Sequence, residues 1–255
     1  MMRPHSDDAA GSGVLALHGL TGSPRELAPL TGALSDAGFR VDAPMLPGHG
    51  HDARMLARAT RVHWRRAAGD AFTGRRAATG APVAVIGGSM GALLALELAA
   101  EQPADVSALV LLAPPLRMPF RTRLRLVSQS VAARSFPLPR LRQVRKEAGI
   151  DVCDRAVVAD LRRMDVCPLA SLLEFVALMQ ETEALHERVR CPVLLVHGDR
   201  DRTVPRAHVE ELAGRLSAPV ETLWLPRSAH LVAVDFDRDV LVAHVLAFLG
   251  RLRER

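Results

Sequence analysis

Ser89 stands at the centre of a Gly-x-Ser-x-Gly pentapeptide, Gly87–Gly88–Ser89–Met90–Gly91. An apolar, β-branched run, Val83–Ala84–Val85–Ile86, leads into it, and a long alanine- and leucine-rich helical stretch follows. Strand, sharp turn and helix form the context in which such a serine does chemistry. A side chain at Gly87 or Gly91 would collide with neighbouring backbone, and Ser89 would be strained with its hydroxyl lifted clear of the sheet. The helix N-terminus would then stabilise negative charge developing beside that hydroxyl. A serine hydroxyl is a weak nucleophile near neutral pH and needs a base within hydrogen-bond reach. The base in turn needs a carboxylate to fix its tautomer and stabilise the imidazolium. Beyond Ser89 the chain offers His230 in Ser228–Ala229–His230, and Asp199 or Asp201 in His197–Gly198–Asp199–Arg200–Asp201–Arg202–Thr203–Val204–Pro205. The chemistry such a set performs is acyl transfer through a covalent intermediate.

The two aspartates are two residues apart, so extended backbone through both would point them to the same side. The turn must decide between them. Asp201 lies further from the strand end, where a loop can bend toward the histidine. Asp199 follows Gly198 and suits hydrogen bonding to loop backbone, as aspartates in turns do.

The elements that position these residues alternate regularly. Val14–Leu17 is a short apolar strand that ends in His18–Gly19–Leu20–Thr21–Gly22. Ser23–Pro24–Arg25–Glu26 has the form of a capping box with proline at the first helical position, which predicts a helix from Pro24 to about Gly38. Strand 39–43, a loop over 44–52 and an arginine-rich helix over 60–78 come next. The Ser89 helix runs to about Glu101, and Val106–Leu112 is a nearly all-apolar strand, as one covered on both faces must be. After Arg190 the alternation resumes with strand 192–196, helix 205–216 (Thr203 a candidate cap), strand 220–225 and helix 236–252. Six strands alternating with helices imply an α/β fold, a parallel sheet with helices on both faces. In such a sheet, functional loops lie beyond the carboxyl ends of the strands. That rule gathers His18–Thr21, Ser89, Asp199–Asp201 and Ser228–His230 on one rim.

Between Ala113 and Arg190 the rhythm breaks, with prolines at 114, 115, 119, 137 and 139 and helical stretches around 121–133, 153–164 and 168–186. This is expected to be a helical insertion over 114–190, with 1–113 and 191–255 forming the core.

Composition bounds the rest. The chain has 255 residues, 49% hydrophobic, enough for one large α/β domain with a sizeable core. It contains no tyrosine, which excludes a tyrosine-based mechanism, and only 4% aromatic residues, so the core must be aliphatic. The formal charge is +5, carried almost wholly by arginine. No nucleic-acid motif accompanies it, and the arginines are not interleaved with stacking aromatics, so a nucleic-acid partner is not expected. Cys153, Cys167 and Cys191 fit no zinc spacing, and an odd count argues against a complete disulfide framework. The first thirteen residues are polar and do not read as a signal peptide, and no uncharged apolar run reaches membrane-spanning length. The expectation is a soluble, cytoplasmic protein.

The motifs together resemble the α/β-hydrolase superfamily, and within it the bacterial carboxylesterase and monoacylglycerol lipase branch. His18–Gly19 with Thr21–Gly22, Pro47–Gly48–His49–Gly50–x–Asp52, Gly87–x–Ser89–x–Gly91, Gly198–x–x–Asp201–x–x–Val204–Pro205 and Ser228–x–His230 fall in that family's order. The resemblance implies an α/β-hydrolase fold with a mostly parallel sheet of about six to seven strands, and makes 114–190 an inserted helical cap. The leading antiparallel strands of the full fold are missing or shrunk into residues 1–12. It makes Ser89 the nucleophile, His230 the general base and then acid, and Asp201 the orienting carboxylate. The backbone N–H groups of Leu20 and Met90 would form the oxyanion hole, and His18 would prop the oxyanion loop. The Pro-Gly-His-Gly loop of His49 is structural in the family, so neither His49 nor His51 is expected to bind a metal, and no cofactor is implied. Trp64 and Trp224 read as packing residues.

The implied function is hydrolysis of carboxylic esters, short- to medium-chain esters or monoacylglycerols, with water as acyl acceptor. An acyltransferase or thioesterase on the same triad, or a non-catalytic relative serving as a binding module, are the alternatives; the oligomeric state is left open. Leu172, Leu173, Phe175, Val176 and Met179 are candidates for an acyl pocket under the cap. The segment Arg117–Lys146 holds nine basic residues and no acid, with Leu124, Val127 and Val131 at helical spacing. It reads as a solvated cap face or as a weak contact for an anionic membrane surface.

Overall fold

The structure is a computed structural model that describes residues 12–50, 52–118, 120–135, 142–145, 149–161, 164 and 166–253. The expectation for residues 1–12, apart from Ser12, falls outside these residues, as do His51, Arg140 and Lys146. The chain runs β1 (Gly13–Leu17), α1 (Ala28–Asp36), β2 (Arg40–Asp42), α2 (Ala53–Arg58), α3 (Arg61–Thr79), β3 (Val83–Gly88), α4 (Met90–Glu101) and β4 (Val106–Leu112). The insertion follows with α5 (Phe120–Ser135), β5 (Gln143–Arg145), α6 (Val158–Leu161), β6 (Val166–Pro168) and α7 (Leu169–Glu183). The chain closes with β7 (Val193–Gly198), α8 (Arg206–Arg215), β8 (Val220–Leu225) and α9 (Arg238–Arg253).

Six strands form one sheet in the order β2-β1-β3-β4-β7-β8, every neighbouring pair parallel. Side chains alternate between its faces, and both faces are buried. Leu15, Leu17, Val83, Val85, Leu109, Leu111, Val193 and Leu195 share one apolar cluster with Trp64, Phe72 and the α4 leucines. Val14, Ala16, Ala84, Ile86, Val110, Leu194 and Val196 share the other with Leu30 and Leu34 of α1 and Leu241, Val245 and Phe248 of α9. α4 lies on the first face and is buried along almost its whole length, which explains why alanine and leucine fill it.

Several local expectations are corrected. No capping box forms at Ser23: Pro24–Leu27 is a 3-10 turn in which the Glu26 N–H donates to the Ser23 carbonyl (3.1 Å), and α1 begins only at Ala28. A capping box stands instead at Thr60, whose N–H donates to His63 Nδ1 (3.2 Å). α2 follows the 44–52 loop directly and is capped by Asp52, whose Oδ1 accepts the N–H groups of Arg54 and Met55. Thr203 does not cap α8; Pro205 holds that position.

The insertion is not wholly helical. β5 and β6 pair antiparallel, and among the described residues of the stretch predicted as a helix over 153–164 stand only a 3-10 turn at Arg155–Val157 and the four-residue α6. α7 seats itself on the core: Leu169, Val176, Leu178 and Met179 join the cluster of α3 and α4. Ion pairs fasten it there, with Glu174 and Glu181 on Arg61, and Arg65 bridging Glu181 and the buried Glu97. α5 turns Leu126 into the same cluster and leaves Leu124, Val127 and Val131 exposed.

Candidate active site

The turn after β3 places Ser89 at φ 51°, ψ −112°, a conformation L side chains rarely adopt. A Cβ at Gly91 would come within 2.0 Å of the Leu17 carbonyl, and one at Gly87 within 2.3 Å of the Gly91 carbonyl. Glycine at both positions therefore lets α4 start directly behind the serine. The Ser89 N–H donates to the Leu112 carbonyl (2.9 Å), which pins the turn to β4.

His18–Gly22 lies against this turn: a Cβ at Gly19 would stand 3.3 Å from Ser89 Cβ. The loop is braced from behind. His18 is buried, with Nε2 accepting the Leu46 N–H (3.0 Å) and Nδ1 3.0 Å from the Gly19 carbonyl. Those contacts fix a neutral imidazole carrying its proton on Nδ1. His49 packs edge-on to His18 at 4.9 Å, and Trp64 Nε1 donates to the Pro47 carbonyl (3.1 Å). Trp64 and His49 are thus buried beneath the loop, and Trp224 on β8 lies under the Arg206 guanidinium. Among the described residues no cluster of His, Cys, Asp and Glu is arranged to hold a metal ion.

Beyond β7, Asp201 turns back into the protein with no exposed side-chain surface. Its Oδ2 lies 2.9 Å from His230 Nδ1, and its Oδ1 accepts the N–H groups of Thr203 (2.7 Å) and Val204 (2.8 Å). Burial pushes its carboxyl upward, but the His230 imidazole beside it and the Val204 N–H outweigh burial and hold it below the usual range. Asp199 does not bind loop backbone as its position suggested; it meets Arg206 at the surface (3.0 Å). Of the two candidates, only Asp201 is brought to the histidine. The expected sheet rim thus collects Ser89, Asp201 and His230. Ser89 and His230 line one cavity of about 350 Å³ with Leu20, Thr21, Val144, Ile150, Cys167, Leu172, Phe175 and Leu231. Met90, directly after Ser89, is the first residue of α4, and Leu20 lines the same cavity as Ser89.

Three neighbours of this group carried no motif. His197, on β7, is buried with Nδ1 3.7 Å from Asp201 Oδ2, and burial keeps it neutral by lowering its pKa. Asp235 and Asp237 hold the histidine loop: Asp237 accepts the Arg227 N–H and the Ser228 hydroxyl, and Asp235 the Ala229 N–H. Their only signal was the acid-rich run Asp235–Phe236–Asp237 just after His230.

A parallel sheet covered on both faces, with a serine at the turn after its third strand and an aspartate–histidine pair on the same rim, defines an α/β hydrolase. A model of the family described as serine aminopeptidase, S33, matches residues 9–237, and the chain belongs to that family. A thermostable monoacylglycerol lipase of Bacillus sp. (strain H-257) is 29% identical over 244 residues, covering 94% of this chain and 90% of the relative. A carboxylesterase of Bacillus subtilis (strain 168) is 20% identical over 251 residues, covering 98% and 97%. Among solved structures, one from a study of the metagenome-derived lipolytic enzymes LipS and LipT superposes with a TM-score of 0.83 at 27% identity, covering 96% of this chain and 95% of the other. A monoacylglycerol lipase of Paleococcus ferrophilus shares the fold with a TM-score of 0.76 at 17% identity, over 95% and 96% of the two chains.

Proposed function

We propose that the protein is a serine hydrolase that cleaves carboxylic esters, short- to medium-chain esters or monoacylglycerols, through an acyl-enzyme on Ser89. The observation that carries the reading is a single cavity that Ser89 and His230 both line, together with aliphatic side chains and Phe175. The relatives named monoacylglycerol lipase and carboxylesterase support it. Residues 114–190 act as the cap that closes this cavity, and 1–113 with 191–255 as the hydrolase core.

In this reading the Ser89 hydroxyl attacks the ester carbonyl while His230 takes its proton, and Asp201 holds the imidazole from Nδ1. The tetrahedral oxyanion receives the N–H groups of Met90 and Leu20. The alcohol leaves with the proton from His230. Water then attacks the acyl-enzyme by the same route, which frees the acid and restores Ser89. Asp151 is the one acid among the described residues lining the cavity, and its carboxylate is occupied by Arg202 and Thr203.

Initial rates on p-nitrophenyl esters of increasing chain length, on monoacylglycerols and on acyl-CoA test this. Ester turnover lost in Ser89→Ala supports it; preferred acyl-CoA cleavage, or no turnover of any ester, overturns it in favour of a thioesterase or a non-catalytic relative.

The partner and compartment follow from other features. No helix among the described residues is long and apolar enough to cross a membrane. Cys153, Cys167 and Cys191 are free thiols, which supports a cytoplasmic location. Leu124, Val127 and Val131 form an exposed apolar stripe on α5 beside Arg125, within the basic segment. That stripe supports weak docking on an anionic membrane surface. Salt-sensitive sedimentation with anionic but not neutral vesicles is the expected result; equal behaviour with both counts against it.

A further inference from the structure

Asp201 and His230 project from separate loops, after β7 and β8. A stretch of the inserted segment, Gly149–Asp154, lies across both. Asp151 Oδ2 accepts the Arg202 N–H (2.9 Å) and the Thr203 hydroxyl (2.7 Å), and its Oδ1 accepts Arg202 Nε (3.0 Å). These are the two residues after Asp201. The Asp151 carbonyl accepts the N–H of Leu231 (3.2 Å), the residue after His230. From the core side, Asp235 has no exposed surface and accepts four backbone N–H groups. Two belong to the insertion, Cys153 and Asp154 (both 2.8 Å); the others are Ala229 (2.7 Å), just before His230, and Phe236 (2.9 Å). Four donors make the buried carboxylate tolerable, and hydrogen bonds to a charged acceptor are the strong ones. Val152 completes the join, packed with Leu161, Leu231 and Val234 in an apolar cluster of its own.

The backbone on both sides of His230 and immediately after Asp201 is thus tied to one short piece of the insertion. We propose that Asp151 and Asp235 are positioning residues that hold His230 in register with Asp201, and that the seat of the insertion on this rim sets the geometry of the acid–base pair as well as roofing the cavity. The proposal rests on the reading of Ser89, Asp201 and His230 as a triad. Misplacing a catalytic group by about 1 Å costs on the order of 100-fold in rate. A segment that fixes both loops therefore acts on turnover, whereas one that only lines the cavity acts on substrate binding.

The test uses the full chain as wild type, Asp151→Ala, Asp151→Asn and Asp235→Asn, each checked for folding by its melting temperature. The first readout is the downfield proton resonance of the His230 Nδ1–Asp201 hydrogen bond, which needs no substrate. The second is kcat and KM on p-nitrophenyl acetate. The wild type is expected to show the resonance, and Asp151→Ala to lose or broaden it. Its kcat should fall roughly 10- to 100-fold while KM stays close to wild type. Asp151→Asn, which keeps one acceptor, should be partly rescued in both. Asp235→Asn should match Asp151→Ala if it folds; if it does not, the Asp151 pair decides. A wild type without the resonance, or a folded Asp151→Ala that keeps it and the wild-type kcat, overturns the proposal. So does a change confined to KM. A wild type that cleaves no ester yet loses the resonance on Asp151→Ala upholds the positioning role and overturns the hydrolase reading instead.

Discussion

His230 Nδ1 lies 2.9 Å from one oxygen of Asp201, while the other oxygen of the same carboxylate accepts the N–H groups of Thr203 and Val204. One residue therefore both orients the imidazole and closes the turn in front of α8. The two tasks are coupled: the turn aims the carboxylate, and the carboxylate holds the turn. Asp199, two residues earlier, spends its charge on Arg206 at the surface.

Asp201→Asn is expected to lower kcat by about 10⁴-fold with the fold retained, as orienting-carboxylate replacements do. The asparagine oxygen can keep the two backbone N–H groups, which turns the NH₂ group toward His230. A donor facing Nδ1 forces the proton onto Nε2, and that tautomer cannot take one from Ser89. Asp199→Asn should leave kcat nearly unchanged, since an exposed ion pair is worth at most about 1 kcal/mol. Turnover of one p-nitrophenyl ester by both variants, beside their melting temperatures, decides the assignment. A folded, dead Asp199→Asn enzyme would move the role to Asp199.

The Ser89 conformation, φ 51° and ψ −112°, makes a stability prediction. Strain of this kind costs of order 1–3 kcal/mol, and glycine relieves it. Ser89→Gly should therefore melt above Ser89→Ala, although glycine ordinarily loses about 0.4–1 kcal/mol to unfolded-state entropy. Both variants should be inactive and refuse a fluorophosphonate label. A glycine variant less stable than the alanine variant would show that the backbone there carries no strain.

The sheet and the three chain ends of the rim were legible because each rests on a long or local signal. β3, β4 and β7 are nearly continuous apolar runs, and glycine at 87 and 91 is demanded by backbone approach within 2.3 Å. What escaped were features decided by tertiary contacts. β5 and β6 are three residues each, too short to show a period of two. Ser23 has the right neighbours for a cap, yet the 3-10 turn that Pro24 opens uses the Glu26 N–H for the backbone carbonyl. Thr203 lost the α8 cap because its hydroxyl is taken by Asp151, fifty-two residues away. Asp151 and Asp235 carry no motif, and only the fold shows that they clasp the same rim. α7 reads like any amphipathic helix of the insertion, whereas Glu174 and Glu181 fasten it to Arg61 of the core.

Phe175 and Leu172 line the cavity from α7 and should limit acyl length. Phe175→Ala is expected to shift the optimum among p-nitrophenyl esters toward longer chains. Each further buried methylene should gain about 0.8 kcal/mol, roughly fourfold in kcat/KM. The melting temperature should fall modestly, since Phe175 is only half-buried. An unchanged chain-length profile would remove α7 from the acyl pocket.

Acid should weaken the fold in two phases. His186, His197 and His208 are buried, and burial is the largest cause holding each below the ordinary 6.5. Arg215 adds to the effect at His186 and Arg117 at His208, while Asp201 works against it at His197. His208 Nδ1 also accepts the Leu116 N–H (3.4 Å), a bond that protonation of that nitrogen would break. In each case the unfolded chain binds a proton that the folded chain refuses. Stability therefore rises with pH through this range and is lost as pH falls below the unfolded value of about 6.5 toward the depressed folded values. Asp201 and Asp237 add a second loss at lower pH. Both carboxyls are held below 3.8 in the fold, so their contribution is present above that value and disappears as pH falls through the folded values. The denaturation midpoint should thus decline from about pH 7 to pH 5 and again near pH 4 and below. His186 tests its own share of the upper phase: its Nδ1 has no hydrogen-bond partner, so His186→Leu breaks no bond at that nitrogen. That variant should make the decline between pH 7 and 5 shallower, with His197 and His208 still contributing, and leave the acid phase in place. Urea midpoints measured from about pH 8 to pH 3 for wild type and His186→Leu provide the check. A wild-type midpoint that stays level between pH 7 and 5 would show that these imidazoles do not resist protonation in the fold, and an identical slope in the variant would show the same of His186.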